Sequence, residues 1–159
     1  MNDERKPLEE ITAAEIMVSD VVTIKEDASV QQLAELMARK QISGVPVVDD
    51  QNRVVGIVTE GDMVEVDADI HFPHYIQFLD SVIFLESMKK FDERLRHVAA
   101  TSVRDIMTTE VHTIGKDTPL HKIATIMSDK NVNRLPVVDG DTLVGIVTRA
   151  DVVRAMSRG

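Results

Sequence analysis

The sequence predicts an α/β fold of the α+β type, in which two related repeats each hold a small sheet flanked by helices and a helical insert separates them. Val-Pro-Val-Val-Asp at 45–49 returns as Leu-Pro-Val-Val-Asp at 135–139, and Gly-Ile-Val-Thr at 56–59 returns at 145–148. Matching pieces in one order indicate two copies of a folding unit of about 50 residues. Two copies of one unit usually pack about a pseudo-twofold axis, so we expect matched residues to face a shared cleft.

The composition is that of a globular protein and excludes several classes of function. Of the 159 residues, 43% are hydrophobic and 28% are charged. No apolar run approaches the roughly 20 residues that span a bilayer, so no membrane partner is expected. The lack of cysteine excludes disulfides and thiolate metal sites, and a cytoplasmic location fits it best. The net charge of −9 opposes nucleic acid as a partner, because phosphate binding needs a basic face.

Each copy begins with the signature of a capped helix followed by a strand. Thr12 and Ser102 each stand three residues before an acid, the hydroxyl-x-x-acid pattern that satisfies first-turn amides. Short β-branched runs at 21–24 and 111–114 predict the strands. A longer helix follows, with Asp27 or Thr118 as its cap.

One apolar stripe recurs along this longer helix in both copies. Its members are spaced at i, i+3, i+4 and i+7, which predicts a single buried face. Pro119 is expected at the first helical position of the second copy. The stripe consists of Val30, Leu33, Ala34 and Met37 in the first copy and of Leu120, Ile123, Ala124 and Met127 in the second.

Two strands and a final helix complete each copy. The first copy places strands at 45–48 and 54–59 around a polar turn at 49–53. The second copy closes its turn more tightly through Gly140, which accounts for a one-residue deletion. The last helix is expected to start directly after Thr59 or Thr148.

This order of elements, with the two motifs in register, resembles the CBS domain, a small repeat named after cystathionine β-synthase that occurs in tandem pairs called Bateman modules. The residues that carry the resemblance are those at 45–49 and 56–59 with Asp62, and their partners around Pro136, Gly145, Thr148 and Asp151. The resemblance covers nearly all of the chain outside its first residues and segment 63–100. It implies a first repeat at 8–66, a helical connecting segment at 67–100 and a second repeat at 101–159.

The repeated Gly-Ile-Val-Thr-x-x-Asp has a chemistry that suits a nucleotide. The glycine lets another backbone or a flat ligand approach the strand. The threonine ends the strand where a helix begins, and free amides at a helix N-terminus attract phosphate. The aspartate three residues later repels phosphate but accepts hydrogen bonds from a ribose diol. The alternative is structural, because such aspartates often cap helices and threonine is a good strand former.

Proteins that resemble this family bind AMP, ADP, ATP or S-adenosyl compounds in the cleft between paired repeats. The resemblance implies ribose and phosphate contacts for Thr59, Asp62, Thr148 and Asp151. The residues that it places around the adenine are Ile42, Ser43, Gly44, Val45, Asn133, Arg134 and Leu135, with Val22 and His112 touching the base. Each family site draws on both repeats, so we expect Asp151 to work with Ser43 and Val22, and Asp62 with Asn133.

The two expected sites carry different charges. Glu60 precedes Asp62, whereas Arg149 precedes Asp151 at the matching place. Arg134 adds a second guanidinium, a group that suits bidentate phosphate contact. Simple surface solvation is the alternative for both arginines. The charge difference favours the Asp151 site for a phosphate-bearing ligand.

The connecting segment contains all five aromatic residues of the chain. A helix is expected over 75–98, and its apolar residues are spaced 4-3-4-3 like a helical seam. The seam consists of Phe84, Met88, Phe91, Leu95 and Val98. It could pack on its own repeats or form a subunit or partner interface. Asp67, Asp69, His71 and His74 match no specific metal motif, and a turn explains them better.

The sequence therefore predicts a stand-alone regulatory module that binds an adenine nucleotide and signals through a change in shape or assembly. A homodimer and an unidentified effector protein are the expected partners. No resident cofactor or metal is required, and Mg²⁺ is expected only alongside ATP. The alternative is an interaction protein with empty clefts that acts through the aromatic helix. Catalysis is not expected, because phosphate-loop and dinucleotide glycine motifs and a catalytic set of histidines are lacking.

Overall fold

The computed structural model describes residues 6–68, 75–78, 81–84 and 101–158. These residues form a mixed α/β arrangement of helices and small sheets, as the sequence predicts. None of the described helices is long and apolar enough to cross a membrane. The helices are α1 (Ala13–Ile16), α2 (Val30–Lys40), α3 (Glu60–Ala68), α4 (Val103–Ile106), α5 (Leu120–Asp129) and α6 (Arg149–Met156). The strands are β1 (Ile24–Lys25), β2 (Gly44–Val48), β3 (Val54–Thr59), β4 (Tyr75–Phe78), β5 (Ser81–Phe84), β6 (Arg134–Asp139) and β7 (Thr142–Thr148).

The chain divides into two compact units that interleave along the sequence. The second-repeat unit holds α5, β6, β7 and α6, and the first-repeat unit holds β1, α2, α3 and most of β2 and β3. Each unit also holds the opening helix of the other repeat, because α1 belongs to the second-repeat unit and α4 to the first-repeat unit. The second-repeat unit is drawn from Met1–Thr23, Val48–Val55 and Glu110–Gly159, and the first-repeat unit from Ile24–Val47 and Gly56–Thr109. The boundaries at 8–66, 67–100 and 101–159 follow the sequence motifs and stay a prediction.

Helix α1 is fixed in the second-repeat unit by its first amides. The N–H of Ala13 donates to the carbonyl of Thr118 at 2.9 Å. The N–H of Thr12 donates to the carboxylate of Glu15 at 2.8 Å, which confirms the predicted capping box. Ala13 is fully buried in a core formed with residues of α5, β6, β7 and α6. Amides that a helix cannot satisfy internally thus hold it against its neighbours.

Helix α4 makes the corresponding contacts in the first-repeat unit. The N–H of Val103 donates to the carbonyl of Ala28 at 2.8 Å, and Val103 is fully buried. The N–H of Ser102 donates to the carboxylate of Asp105 at 2.9 Å, which confirms the second capping box. Both opening helices therefore serve the same role, each in the unit of the other repeat.

The residues after each opening helix extend a sheet. Val18 exchanges two backbone hydrogen bonds with Ile146 of β7, at 2.9 and 3.0 Å. Thr108 exchanges two with Ile57 of β3, both at 2.9 Å. Since β7 and β3 would otherwise present unpaired backbone groups at these positions, the opening segments cover part of a sheet edge.

The strand glycines make room for methionine side chains. A β-carbon on Gly56 would stand 2.5 Å from the sulfur of Met107. A β-carbon on Gly145 would meet the sulfur of Met17 in the same way. The sequence suggested that these glycines admit another backbone or a flat ligand, but here a side chain from the opening segment takes the space.

The longer helices begin later than predicted. Ser29 caps α2 in place of Asp27, because its hydroxyl accepts the N–H of Gln32 at 3.0 Å. In the second copy Pro119 occupies the cap position of α5. The hydroxyl of Thr118 instead accepts a loop N–H at 3.1 Å. Ser29 forms a capping box with Gln32. The two hydrogen bonds of this box satisfy more of the backbone at the helix start than a single cap by Asp27 would.

The opening strand is also shorter than predicted at 21–24 and 111–114. In the first copy β1 begins only at Ile24. In the second copy Ile114 makes a single parallel bridge with Val137. The β-branched runs are correctly located in sequence, but few of their backbone groups find a partner strand.

The buried stripe of the long helices is confirmed at most positions. Leu33 of α2 and Ile123 of α5 are fully buried, and the residues three before and four after each are buried too. Ala34 is the exception, because it is exposed, while Ala124 is half-buried. These alanines lie at the edge of the stripe, where a short side chain adds little to the core.

The connecting segment contains a β-hairpin where the sequence predicted a helix. Strands β4 and β5 pair antiparallel, with Tyr75 opposite Phe84. The helical prediction is therefore wrong over these strands. The β-branched pair Val82 and Ile83 favours a strand, and the apolar spacing of the segment alone did not exclude one.

Other predictions for the segment fall outside the described residues. They concern the remainder of the seam, at Met88, Phe91, Leu95 and Val98, and the loose group at Asp69, His71 and His74. They stay predictions.

Candidate functional site

The second-repeat unit contains a Thr–Asp clamp at the start of α6, which we define as Thr148 and Asp151. The carboxylate oxygen Oδ2 of Asp151 accepts the N–H and the hydroxyl of Thr148, both at 2.8 Å. The N–H of Asp151 donates in turn to the Thr148 hydroxyl at 3.3 Å. This reciprocal capping box fixes the carboxylate at the helix N-terminus. Asp151 is only 7% exposed, so its remaining oxygen, Oδ1, decides what else it can bind.

Arg154 occupies that remaining oxygen. Its guanidinium lies one turn further along α6 and donates to Oδ1 of Asp151 at 3.1 Å. The arginine is 57% exposed, so it can leave or turn without disturbing the core. The sequence did not single out Arg154, although a comparison of the two copies one turn beyond the motif would have found it. Each carboxylate oxygen accepts about two hydrogen bonds, so Oδ1 retains one position for a ligand hydroxyl.

The start of β6 lies beside this clamp. Arg134 stands opposite Thr148 in the antiparallel register of β6 and β7. The N–H of Arg149 donates to the carbonyl of Asn133 at 3.0 Å. The structure thus brings together five of the residues assigned to the second copy, around the start of β6 and the start of α6: Asn133, Arg134, Thr148, Arg149 and Asp151.

The side chain of Arg149 points to the end of α5. Its guanidinium donates to the carbonyls of Met127 and Val132, at 3.3 and 3.2 Å. Cations near a helix C-terminus offset the partial negative charge of its last carbonyls. Arg149 therefore contacts the end of α5. The sequence had suggested either a phosphate contact or simple solvation for this side chain, and it did not predict this contact.

The first-repeat unit contains a corresponding clamp, Thr59 and Asp62, at the start of α3. Oδ2 of Asp62 accepts the Thr59 N–H at 2.7 Å and the Thr59 hydroxyl at 3.1 Å. The N–H of Glu60 donates to the carbonyl of Ser43 at 3.0 Å, directly before β2 begins at Gly44. The backbone plan of the second-repeat unit therefore recurs, with Ser43 in the place of Asn133.

The charges around the two clamps are reversed. Glu60 replaces Arg149 at the first position of the helix, and Glu65 replaces Arg154 one turn after the clamp aspartate. All four side chains are exposed. Asp151 has Arg154 as its ion-pair partner, whereas the matching position near Asp62 is occupied by the acid Glu65. The two clamps share backbone geometry and differ in electrostatics.

Several residues that were predicted to surround the adenine are buried or half-buried in the structure. Val45 and Leu135 are fully buried, so their side chains serve the core. Val22 and His112 are half-buried and precede the first paired residue of their strands by two positions. Ile42 is half-buried before β2. Which of these side chains meets a ligand stays a prediction.

The described residues of the second-repeat unit line cavities at both ends of α5, and the clamp residues Thr148 and Asp151 are not among the residues that line them. One of about 410 Å³ lies between α5 and α6 and is bordered by Met127, Arg149 and Val153. Another of about 450 Å³ lies at the start of α5, between Lys116 and Gly140. Within the described parts of the chain, no group of three or more His, Asp or Glu side chains is placed to hold a metal ion.

Comparison with known proteins identifies the repeat. The family model of the CBS domain matches residues 13–69 and 103–158. Protein MJ1426 of Methanocaldococcus jannaschii is 30% identical over 155 residues, which cover 92% of both chains. The crystal structure of Arabidopsis thaliana CBSX2 in complex with AMP superposes with a TM-score of 0.70 at 27% identity, over 92% of this chain and 96% of that chain.

The same fold occurs in a second solved structure, the CBS domain pair of protein MJ0100 in complex with 5-methylthioadenosine and S-adenosyl-L-methionine. It superposes with a TM-score of 0.70 at 24% identity, over 92% of this chain and 96% of that chain. The two family matches coincide with the two repeats, and each contains one Thr–Asp clamp. The chain therefore belongs to the CBS domain family, as a tandem pair of CBS repeats.

Proposed function

We propose that this protein is a regulatory module that binds an adenine nucleotide at its Thr–Asp clamps. The observation that carries the proposal is the doubled clamp: in Thr59 with Asp62 and in Thr148 with Asp151, the aspartate Oδ2 accepts the N–H and the hydroxyl of the threonine at the start of a helix. The AMP complex of CBSX2, at 27% identity, supports adenosine monophosphate as the first ligand to test.

The geometry of the clamp suggests a role for each part. Oδ2 of the aspartate is used by the threonine, so Oδ1 would accept the ribose hydroxyls. The helix N-terminus beside it carries partial positive charge, which favours a phosphate. It stays a prediction that Asp151 shares a ligand site with Ser43 and Val22, and that Asp62 shares one with Asn133. The contact of His112 and Arg134 with adenine stays a prediction too.

Signalling would follow from a difference in affinity between conformations. A ligand shifts an equilibrium only by the amount by which it binds one state better than the other. We propose that nucleotide binding changes shape or assembly in this way and is read by an effector protein. Mg²⁺ would enter only with ATP, and a cytoplasmic location stays part of the proposal.

We further propose that the assembly is a homodimer. Val64 of α3 and Val153 of α6 occupy matching positions in the two repeats, and they are 65% and 64% exposed. Met156, at the end of α6, is also exposed. Apolar side chains exposed at matched places suit a symmetric interface, and twofold dimers are the commonest closed oligomers.

Thermal melting with and without nucleotide tests the proposed ligand class. We expect AMP to raise the melting temperature of the wild-type chain, because a ligand that binds only the folded state stabilises it by mass action. GMP serves as the base control and is expected to have a smaller effect. Asp151→Asn should remove most of the rise, whereas Asp139→Asn, which changes an exposed aspartate at the end of β6, should retain it.

The interaction-protein alternative predicts a different result in the same experiment. If the clefts stay empty, AMP, ADP, ATP and S-adenosylmethionine leave the melting temperature unchanged at millimolar concentrations. The clamps would then be helix caps and nothing more, since capping alone explains every hydrogen bond within them.

A further inference from the structure

Met17 and Met107 occupy the same joint in the two opening segments. The N–H of Met17 donates to the carbonyl of Ala13 at 2.8 Å and ends α1, and the N–H of Met107 ends α4 in the same way. The residue after each methionine, Val18 or Thr108, pairs with a strand. Each methionine therefore links a short helix to the edge of a sheet.

Each sulfur lies tightly against the strand that it covers. A β-carbon on Gly56 would lie 2.5 Å from the sulfur of Met107 and 3.1 Å from its Cγ. A β-carbon on Gly145 would meet the sulfur of Met17 and would lie 2.9 Å from its Cγ. Both glycines are buried. An oxygen atom added to either sulfur therefore finds no room on the strand side, and it makes an apolar contact polar.

The methionines of the described segments differ in how much of their surface meets solvent. Met37 and Met127 are buried, whereas Met156 is 54% exposed. Met17 and Met107 are half-buried. A small oxidant such as hydrogen peroxide therefore reaches the two joint methionines more readily than the core methionines. A sulfoxide at Met156 would remain largely in solvent, so it would disturb little of the packing.

The chain has no cysteine, so no thiol competes with these sulfurs for a peroxide. In the reaction, a lone pair of the methionine sulfur attacks one oxygen of hydrogen peroxide and the O–O bond breaks. That oxygen stays on the sulfur, the other oxygen leaves with both protons as water, and two electrons pass from the sulfur to the peroxide. A sulfoxide reductase that uses a thiol as its electron source reverses the step.

We propose that Met17 and Met107 are oxidation sites through which a peroxide loosens the opening segments from the strands that they cover. Oxidation of Met17 weakens the pairing of Val18 with Ile146 in the second-repeat unit, and oxidation of Met107 acts in the same way in the first-repeat unit. The inference goes beyond the proposed function and does not depend on nucleotide binding. It makes the chain responsive to a second chemical signal.

Hydrogen exchange of the full chain before and after treatment with hydrogen peroxide tests the proposal. Peptide mass spectrometry follows the oxygen that is added to each methionine. We expect Met17 to be oxidised before the buried Met127, and the Ile146 amide to exchange at least about tenfold faster in chains oxidised at Met17. Exchange of Ile146 at the untreated rate in those chains would overturn the proposal, and so would oxidation of Met127 before Met17.

Leucine variants assign the response to one sulfur at a time, because leucine has a similar volume and cannot be oxidised. Met17→Leu should remove the peroxide response at Ile146 and keep the response at the Ile57 amide. Met107→Leu should do the reverse. The control is Met63→Leu, which should keep both responses, because Met63 is half-buried too but is not among the atoms nearest to either strand glycine. A response at Ile146 that persists in Met17→Leu would count against the proposal.

A chain that contains norleucine in place of every methionine covers the case in which a leucine variant does not fold. Norleucine keeps the unbranched shape of methionine and has no sulfur, so peroxide should leave its exchange rates unchanged. In the oxidised wild-type chain, methionine sulfoxide reductase with dithiothreitol should restore slow exchange at Ile146. A peroxide response in the norleucine chain, or fast exchange that outlasts the removal of the sulfoxides, would show that methionine oxidation is not the cause.

Discussion

The sulfur of Met107 lies so close to Gly56 that a β-carbon on the glycine would stand 2.5 Å from it. Met107 opens the second repeat in sequence, yet its side chain packs on a strand of the first-repeat unit. Met17 and Gly145 form the same contact in the second-repeat unit. In each unit, a methionine from the opening segment of the other repeat therefore packs tightly against a strand glycine.

This contact predicts a steric cost for alanine. Gly56→Ala and Gly145→Ala should each destabilise the fold by about 1–3 kcal/mol, because an extra methyl group overpacks a tight contact. Gly115→Ala is the control, since the nearest atom to its β-carbon is 4.0 Å away. Urea unfolding of the three variants measures the difference. Addition of Met107→Ala to Gly56→Ala should recover part of the loss, and a double variant less stable than Gly56→Ala would contradict the steric account.

The interleaved topology predicts a selective loss of protection in a shortened chain. Deletion of residues 1–18 removes Val18, which accepts the N–H of Ile146 at 3.0 Å. The Ile146 amide should then exchange with solvent far faster in hydrogen-exchange measurements. The amide of Ile57, which donates to Thr108, is the internal control and should remain protected. Unchanged protection at Ile146 would show that the N-terminal segment does not complete this sheet.

The α1 cap predicts a dependence of stability on pH. Hydrogen bonds from Lys6 and from the Thr12 backbone hold the pKa of Glu15 below its ordinary value. A lowered folded-state pKa gives stability that is present above the unfolded-state pKa and is lost as pH falls through the folded-state pKa. Glu15→Gln should therefore lose less stability than wild type between neutral pH and acid pH, as measured by urea unfolding. Parallel pH profiles for the two chains would contradict this assignment.

The exposed valines predict the oligomeric state. Val64→Asp with Val153→Asp should convert a homodimer into monomers, because burial of two unpaired carboxylates at an interface is strongly unfavourable. Val18→Asp is the control, since Val18 is also exposed but lies outside α3 and α6. Sedimentation velocity separates the species. A wild-type monomer, or a double variant that remains dimeric, would exclude Val64 and Val153 as interface residues.

Local signals in the sequence were sufficient for much of the fold. The capping boxes at Thr12 and Ser102, the strand pairs and the final helices depend on neighbours within a few residues, and all of them are confirmed. The interleaving of the units was not predicted, because the pairing of Val18 with Ile146 spans much of the chain and leaves no local pattern. The hairpin of β4 and β5 was missed because its apolar residues also fit a helical spacing.

The candidate site was predictable to a similar degree. The motif located both clamp pairs, and the geometry of each pair follows from a threonine and an aspartate three residues apart at a helix start. The ion pair of Arg154 with Asp151 lies one turn outside the motif and was not anticipated. The burial of Val45 and Leu135 depends on how the sheets pack, which the strand pattern alone does not determine.

Calorimetric titration of AMP into the wild-type chain and into the Asp62→Asn, Asp151→Asn double variant tests the central claim most directly. We expect the wild type to bind one equivalent of AMP tightly, more weakly as salt is added, and at most one further equivalent weakly. The double variant should bind AMP at least about tenfold more weakly, since each lost charged hydrogen bond contributes roughly 1.5–3 kcal/mol. Asparagine keeps the shape of the cap, so the fold should persist. AMP binding of wild-type affinity in the double variant would show that the Thr–Asp clamps are caps and not nucleotide sites.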